Sequence, residues 1–275
     1  MGDNETPGIS TEPNDIKPRR KIMDLQLKDK VALITGSTKG IGRAIAETLA
    51  DEGCHVGVCA RNEAEVEETV AALTAKGVKA CGSVVDVTDA TSMEAWVNQC
   101  AETLGGIDIF VPNVSAGGAD SSEAGWRANF EADMLATWRG VELTTPHLSK
   151  SDSGAIVIIS TTAAVEAFAG PSPYGAIKAG LLNYSSNLSQ ALAASGVRVN
   201  AVSPGPIFFE GGAWEQIKTH MTDFYDATVA SIPMGRMGTN YEIADTVAFL
   251  ASPRSAFTTG ANVVVDGGFT KRVQF

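Results

Sequence analysis

The feature that most constrains this chain is an alternation. Short apolar, β-branched runs of five to ten residues are separated by longer stretches in which apolar residues recur every three or four positions. The runs "KVALIT" (30–35), "CHVGVC" (54–59), "VKACGSVVDV" (78–87), "IDIFV" (107–111), "GAIVIIS" (154–160), "VRVNAVS" (197–203) and "ANVVVDG" (261–267) read as strands. Between them, residues 41–53, 63–77, 91–105, 126–148, 174–195 and 241–252 carry helical periodicity, and several end at Gly as a C-cap does. Strands apolar on both faces need cover on both faces, which a parallel sheet with helical crossovers provides. Such crossovers are right-handed. The pattern therefore predicts one α/β domain, a doubly wound seven-stranded parallel sheet flanked by helices, with no internal repeat.

At 275 residues the chain suits a single large domain of this kind. Hydrophobic content of 44% and charged content of 19% are those of an ordinary globular protein. A net charge of −11 argues against nucleic acid or an anionic membrane as main partner. No apolar run approaches the roughly 18 residues of a membrane span. Residues 1–26 lack the apolar core of a secretory signal, and their Pro, Gly, Asn and Asp read as a disordered leader before a domain at 27–275. The four cysteines (Cys54, Cys59, Cys81, Cys100) show no CxxC spacing and read as buried free thiols in a reducing cytoplasm. Three scattered histidines give no metal-ligand spacing, so no metal is expected.

In a doubly wound sheet, ligands sit beyond the carboxyl ends of the strands. The first such end is "TGSTKGIG" (35–42), where Gly36, Gly40 and Gly42 permit a tight turn and close backbone approach. The following helix would present free N–H groups to a phosphate; a bare tight turn is the blander reading. The second strand ends "VCARN", with Ala60 and then Arg61 where a carboxylate would hold a ribose hydroxyl. Arg61 and Lys39 favour the 2′-phosphate of NADP(H), unless both are simply solvated. After the fifth strand, "PSPYGAIK" (171–178) sets Tyr174 and Lys178 on one helical face, an arrangement that is either ordinary surface or an acid–base pair.

These stretches, in this order, closely resemble the classical short-chain dehydrogenases/reductases over about residues 28–269. The family's TGxxxGxG is "TGSTKGIG", its YxxxK is "YGAIK", its adenine-contacting Asp is Asp86 in "VVDVTD", and its PG segment is "SPGPI" (203–207). The resemblance implies a Rossmann-type fold and a cofactor site built from Gly36, Ser37, Thr38, Lys39, Gly40, Ile41, Gly42, Arg61, Asp86, Val87, Asn113, Pro204, Gly205 and Ile207, together with Tyr174 and Lys178. It implies that Tyr174 is the general acid/base, with Lys178 lowering its pKa and binding the nicotinamide ribose. It also implies a homotetramer and a closing substrate loop.

Three positions depart from the family pattern. Its catalytic Ser falls on Thr161, with Ser160 the alternative; neighbours along a strand face opposite ways, so only one of them should meet the substrate. Its relay Asn is Asp133, and the segment after strand four is "PNVSAGG" (112–118), which leaves Asn113 as the polar contact. Residues 207–238 hold Phe208, Phe209, Trp214, Met221, Phe224 and Tyr225, either as a lid hinged at Gly211–Gly212 or as a core helix. The functional expectation is an NADP(H)-dependent oxidoreductase interconverting a ketone and a secondary alcohol on a hydrophobic, ring-bearing or acyl-chain substrate. The alternatives are an idle NADP(H)-binding regulator or an NAD-preferring dehydrogenase.

Overall fold

Five consecutive buried residues, Val31–Thr35, form the strand β1 at the centre of a sheet covered on both sides. The computed structural model describes residues 23–118, 120–168 and 170–273. After β1 come α1 (Gly40–Asp51), β2 (His55–Ala60), α2 (Glu63–Ala75), β3 (Ala80–Val84), α3 (Ala90–Leu104) and β4 (Ile109–Val111). The second half runs α4 (Glu123–Asn129), α5 (Ala136–Leu148), β5 (Ala155–Ile159), α6 (Pro173–Leu192) and β6 (Arg198–Pro204). It ends with the short β7 (Ile207–Phe208), α7 (Ala213–His220), α8 (Thr222–Ser231), β8 (Gly238–Thr239), α9 (Asn240–Ala251) and β9 (Asn262–Val265).

Seven strands pair in parallel in the order β3-β2-β1-β4-β5-β6-β9. The order reverses between β1 and β4, which opens a crevice at their carboxyl ends. One core layer joins the sheet to α1, α2 and α9, through Leu49, Leu73 and Val247 among others. The opposite layer uses α3, α5 and α6, around Trp96, Val141 and Leu181. The seven predicted strands and the doubly wound class are thus realised.

The strand boundaries shift for local reasons. The predicted strand 78–87 stops at Val84 because Asp86 turns the chain: its Oδ1 accepts from the Thr88 amide at 2.9 Å and hydroxyl at 2.8 Å. Residues 126–148 are not one helix. Ser122 caps α4 by accepting from the Gly125 amide, and a π-helical stretch, Phe130–Leu135, lies between α4 and α5. That stretch carries Asp133, which has no exposed surface.

The core-helix reading of 207–238 is overturned. Among the described residues, α7 has none buried and α8 only Thr228, so the two helices sit outside the core. Their aromatics pack on one another instead. Trp214 stacks on Phe224 at 6.0 Å, Tyr225 meets Phe208 edge-on at 6.3 Å, and the Lys218 ammonium lies 5.4 Å from the Phe208 ring. Phe168 stacks on Phe269 at 4.7 Å and Glu166 accepts from the Lys271 amide at 3.0 Å, clasping the β5–α6 loop to the far end of the chain. At the other end, Leu27 is in the core and Leu25 packs against it; most of the predicted leader, residues 1–22, lies outside the described residues. Among the described residues no helix is long and apolar enough to cross a membrane.

Candidate active site

The glycine turn after β1 is shaped by contacts that leave no room for a side chain. Gly36 and Gly40 hold φ of 63° and 55°. A Cβ on Gly42 would stand 2.2 Å from the Gly36 carbonyl oxygen and 2.5 Å from the Asn113 amide nitrogen. That Asn113 amide donates to the carbonyls of Thr35 at 3.1 Å and Gly36 at 3.2 Å, tying β4 to the turn. Lys39 caps α1 without a side-chain hydrogen bond, and the Phe209 ring lies against Gly40 at the start of that helix, 2.7 Å from where a Cβ would stand.

Beside this turn opens a cavity of about 730 Å³ at the carboxyl ends of β1 to β4. Of the expected cofactor residues, Gly36, Thr38, Lys39, Arg61, Asp86, Val87 and Asn113 line it. Ser37 turns inward: its hydroxyl donates to the Ile34 carbonyl at 2.9 Å and accepts from the Cys59 amide at 3.1 Å. Gly40, Ile41 and Gly42 form the first turn of α1, and Pro204, Gly205 and Ile207 lie where β6 gives way to β7; none of these lines the cavity.

Lys39 is not an unpaired cation. Its ammonium lies 2.7 Å from Glu65, whose other oxygen accepts from the Thr38 hydroxyl at 3.1 Å. The Lys39 contact holds the Glu65 carboxyl below its usual range. Glu65 lines the cavity and was missed in the sequence, although Asn62 followed by an acid three residues on is the signature of a capped helix start. Arg61 lines the same wall with an exposed side chain.

The second half of the site gathers around α6, started by the Ser172 cap and by Pro173 in its first turn. Ser160 and Thr161 face opposite ways, as expected for an extended chain. The Ser160 hydroxyl donates to the Lys178 carbonyl at 3.2 Å, whereas the Thr161 hydroxyl accepts from the Ala163 amide at 3.2 Å and acts to lower the Tyr174 pKa. Of the two, only Thr161 bears on the titration of the tyrosine.

Lys178 is held between two buried acceptors. Its ammonium donates to the Ile159 carbonyl at 2.9 Å and pairs with Asp133 Oδ1 at 3.0 Å, with both side chains at most 3% exposed. The alignment to Asp133 falls short of a good hydrogen bond, so the contact is ionic. Asp133 Oδ2 accepts from the Ala116 amide at 3.0 Å. Burial pushes the Lys178 pKa down, and Asp133 opposes that. Loss of water around the half-buried Tyr174 pushes its pKa up; the Thr161 hydrogen bond opposes the shift and the Asp133 charge adds to it. Ala116 also lines the cavity, so one backbone residue joins the two halves of the site.

Residues 36–270 match the family model described as enoyl-(acyl carrier protein) reductase. The chain is 34% identical over 258 residues to the isoepoxydon dehydrogenase of Aspergillus clavatus, covering 92% of this chain and all of that one. The chain belongs to the short-chain dehydrogenase/reductase family. Its fold superposes on the L-sorbose reductase of Gluconobacter frateurii, solved with NADPH and L-sorbose, with a TM-score of 0.84 and 30% identity over 91% of this chain and 100% of that one. An NAD+-bound xylitol dehydrogenase matches with a TM-score of 0.82 and 27% identity, over 88% of this chain and 100% of the other. As a short-chain dehydrogenase/reductase, the chain is an oxidoreductase acting between alcohol and ketone.

Proposed function

We propose that this dehydrogenase/reductase uses NADP(H) to interconvert a ketone and a secondary alcohol on a hydrophobic, ring-bearing or acyl-chain substrate. The observation that carries the reading is the pairing of a cavity walled by Arg61, with Ala60 and no carboxylate beside it, and a Tyr174–Thr161 couple at the carboxyl end of β5. The residues fit the cofactor. The first turn of α1 would offer its N–H groups to a pyrophosphate, Asp86 and Val87 would wall the adenine end, and Arg61 would meet a 2′-phosphate. Reduced nicotinamide supplies the hydride. Tyr174 gives its proton to the oxygen that receives that hydride, and Thr161 donates a hydrogen bond that steadies the phenol and the same oxygen. The buried Asp133–Lys178 pair lies one helical turn beyond Tyr174, where Lys178 would hold the nicotinamide ribose.

The aromatic cluster of α7 and α8 supports an apolar substrate, since Phe224 is 49% exposed at the margin of the lid. Following nicotinamide absorbance across a panel of hydrophobic ketones and alcohols tests the assignment: turnover establishes the enzyme, and tight cofactor binding with silence throughout establishes an idle regulator. Cofactor choice has its own measurement. Arg61→Ala should weaken NADP(H) by about tenfold or more while leaving NAD(H) nearly unchanged, because one charge-assisted contact contributes roughly 1.5–3 kcal/mol. Equal loss with both cofactors would show that Arg61 is only a solvated charge.

We also propose a homotetramer of domains spanning 27–275 behind a 1–26 leader, working in the cytoplasm. Trp126, Phe130 and Trp138 are 42–46% exposed along α4, the π stretch and α5, and all four residues of β9 remain partly exposed at the sheet edge. Sedimentation at micromolar concentration should give a mass above that of the monomer; a monomer alone would overturn this.

A further inference from the structure

The edge strand β3 packs on α3 with two sulfurs between them. Cys81 and Cys100 stand Sγ to Sγ at 2.9 Å, and their side chains are 8% and 0% exposed. That separation lies between a disulfide bond, about 2.05 Å, and ordinary non-bonded contact at roughly 3.5–4.0 Å. The neighbouring strand makes the approach possible. Gly57 is the register partner of Cys81 on β2, and a Cβ there would stand 2.8 Å from the Cys100 sulfur. The absent side chain is what seats Cys100 against Cys81.

The other two thiols are placed differently. Cys54 donates to the Leu27 carbonyl at 3.3 Å, and burial pushes the Cys54 and Cys59 thiols up to about 12. Cys81 is 8% exposed where Cys100 is fully enclosed, which makes Cys81 the sulfur that an oxidant meets first.

We propose that Cys81 and Cys100 form a reversible disulfide site that locks the edge strand β3 to α3 when a peroxide is present. The Cys81 thiolate attacks one peroxide oxygen, the O–O bond breaks, and the departing oxygen takes a proton to leave as water. Cys81 is then a sulfenic acid. The Cys100 sulfur attacks that sulfur, the S–S bond forms, and the S–O bond breaks. The departing hydroxide takes the Cys100 proton. Two thiols and one hydrogen peroxide become one disulfide and two waters, and two electrons pass from sulfur to oxygen. A dithiol reductant reverses the link by thiol–disulfide exchange. The closed loop contains Asp86 and Val87 of the cavity wall, so the link braces the adenosine side of the proposed site.

The test treats the purified full-length protein with hydrogen peroxide, blocks remaining thiols under denaturing conditions, and maps peptides without reduction. The expected result is two of the four cysteines unblocked by alkylation, a peptide joining Cys81 to Cys100, Cys54 and Cys59 alkylated, and full recovery with dithiothreitol. The oxidised protein should also melt at a higher temperature, returning to the starting value on reduction. Four alkylated thiols, a link through Cys59, sulfinic acid at Cys81 without a link, or an unchanged or lower melting temperature would overturn the proposal. Because the map is made on the wild-type chain, it stands even if a Cys100→Ala variant fails to fold.

Discussion

Replacing Tyr174 by phenylalanine lowers kcat by about 10²-fold or more and leaves cofactor affinity within about twofold, because it deletes a proton and leaves the packing intact. The ring keeps its place under Gly118, where a Cβ would stand 3.3 Å from the tyrosine Cβ. Only the hydroxyl is lost. The pH dependence follows from the raised pKa. An ordinary tyrosine titrates near 10, and burial moves this one higher, so the protonated form needed for ketone reduction persists throughout the neutral range. Alcohol oxidation needs the phenolate and should climb steadily with pH over the same range. Steady-state profiles in both directions, with Tyr174→Phe as reference, check both statements. Turnover retained in the variant would remove Tyr174 from the chemistry.

The second large effect belongs to Asp133. Asp133→Leu strands the Lys178 ammonium in a site 3% exposed, and breaking a buried pair this way costs roughly 3–5 kcal/mol. The sign of its pH dependence is fixed. Burial lowers the Lys178 pKa and Asp133 resists that, so the variant's folded pKa falls further below the unfolded value. Between those two values the unfolded chain binds more protons, and stability rises with pH. Denaturant midpoints should therefore show the deficit shrinking as pH rises from the variant's Lys178 pKa to the less depressed value of the wild type. Asp133→Asn tests the electrostatic part alone. With the anion gone, Tyr174 titrates lower, and the rise of alcohol oxidation shifts towards acid. A midpoint unchanged in the Leu variant, or an oxidation profile unmoved in the Asn variant, would deny the pair both roles. An amide is still an imperfect replacement. Oδ1 faces an ammonium and Oδ2 faces the Ala116 N–H, so two acceptors are needed where Asn offers one.

Most of the fold could be read from the chain because its central strands are buried on both faces. Runs such as "AIVII" on β5 have no other economical place to go. The glycine turn and the Tyr174–Lys178 spacing were equally legible, since each depends on neighbours close in sequence. What escaped depends on partners far apart in the chain. The Glu65 contact with Lys39 joins α2 to the turn before α1, and nothing local marks it. The π stretch that faces Asp133 towards Lys178 looks like uninterrupted helix in its periodicity. The Lys178–Asp133 pairing was out of reach for the same reason, because the partners lie 45 residues apart, from 133 to 178. The aromatics of α7 and α8 satisfy one another rather than the core, and composition does not distinguish those outcomes.

The clasp between the β5–α6 loop and residues 269–271 bears on how the protein is made. Chains emerge from the ribosome amino end first and their elements settle as they appear. The glycine turn, Tyr174 and Lys178 are all translated before β9, yet β6 lacks its outer neighbour until Asn262–Val265 arrive. The loop ahead of Tyr174 is held only once Phe269 reaches Phe168 and the Lys271 amide reaches Glu166. A nascent chain can therefore assemble the proposed nucleotide half early while the Tyr174 half stays open, and residues 262–271 act as the latch that completes the site.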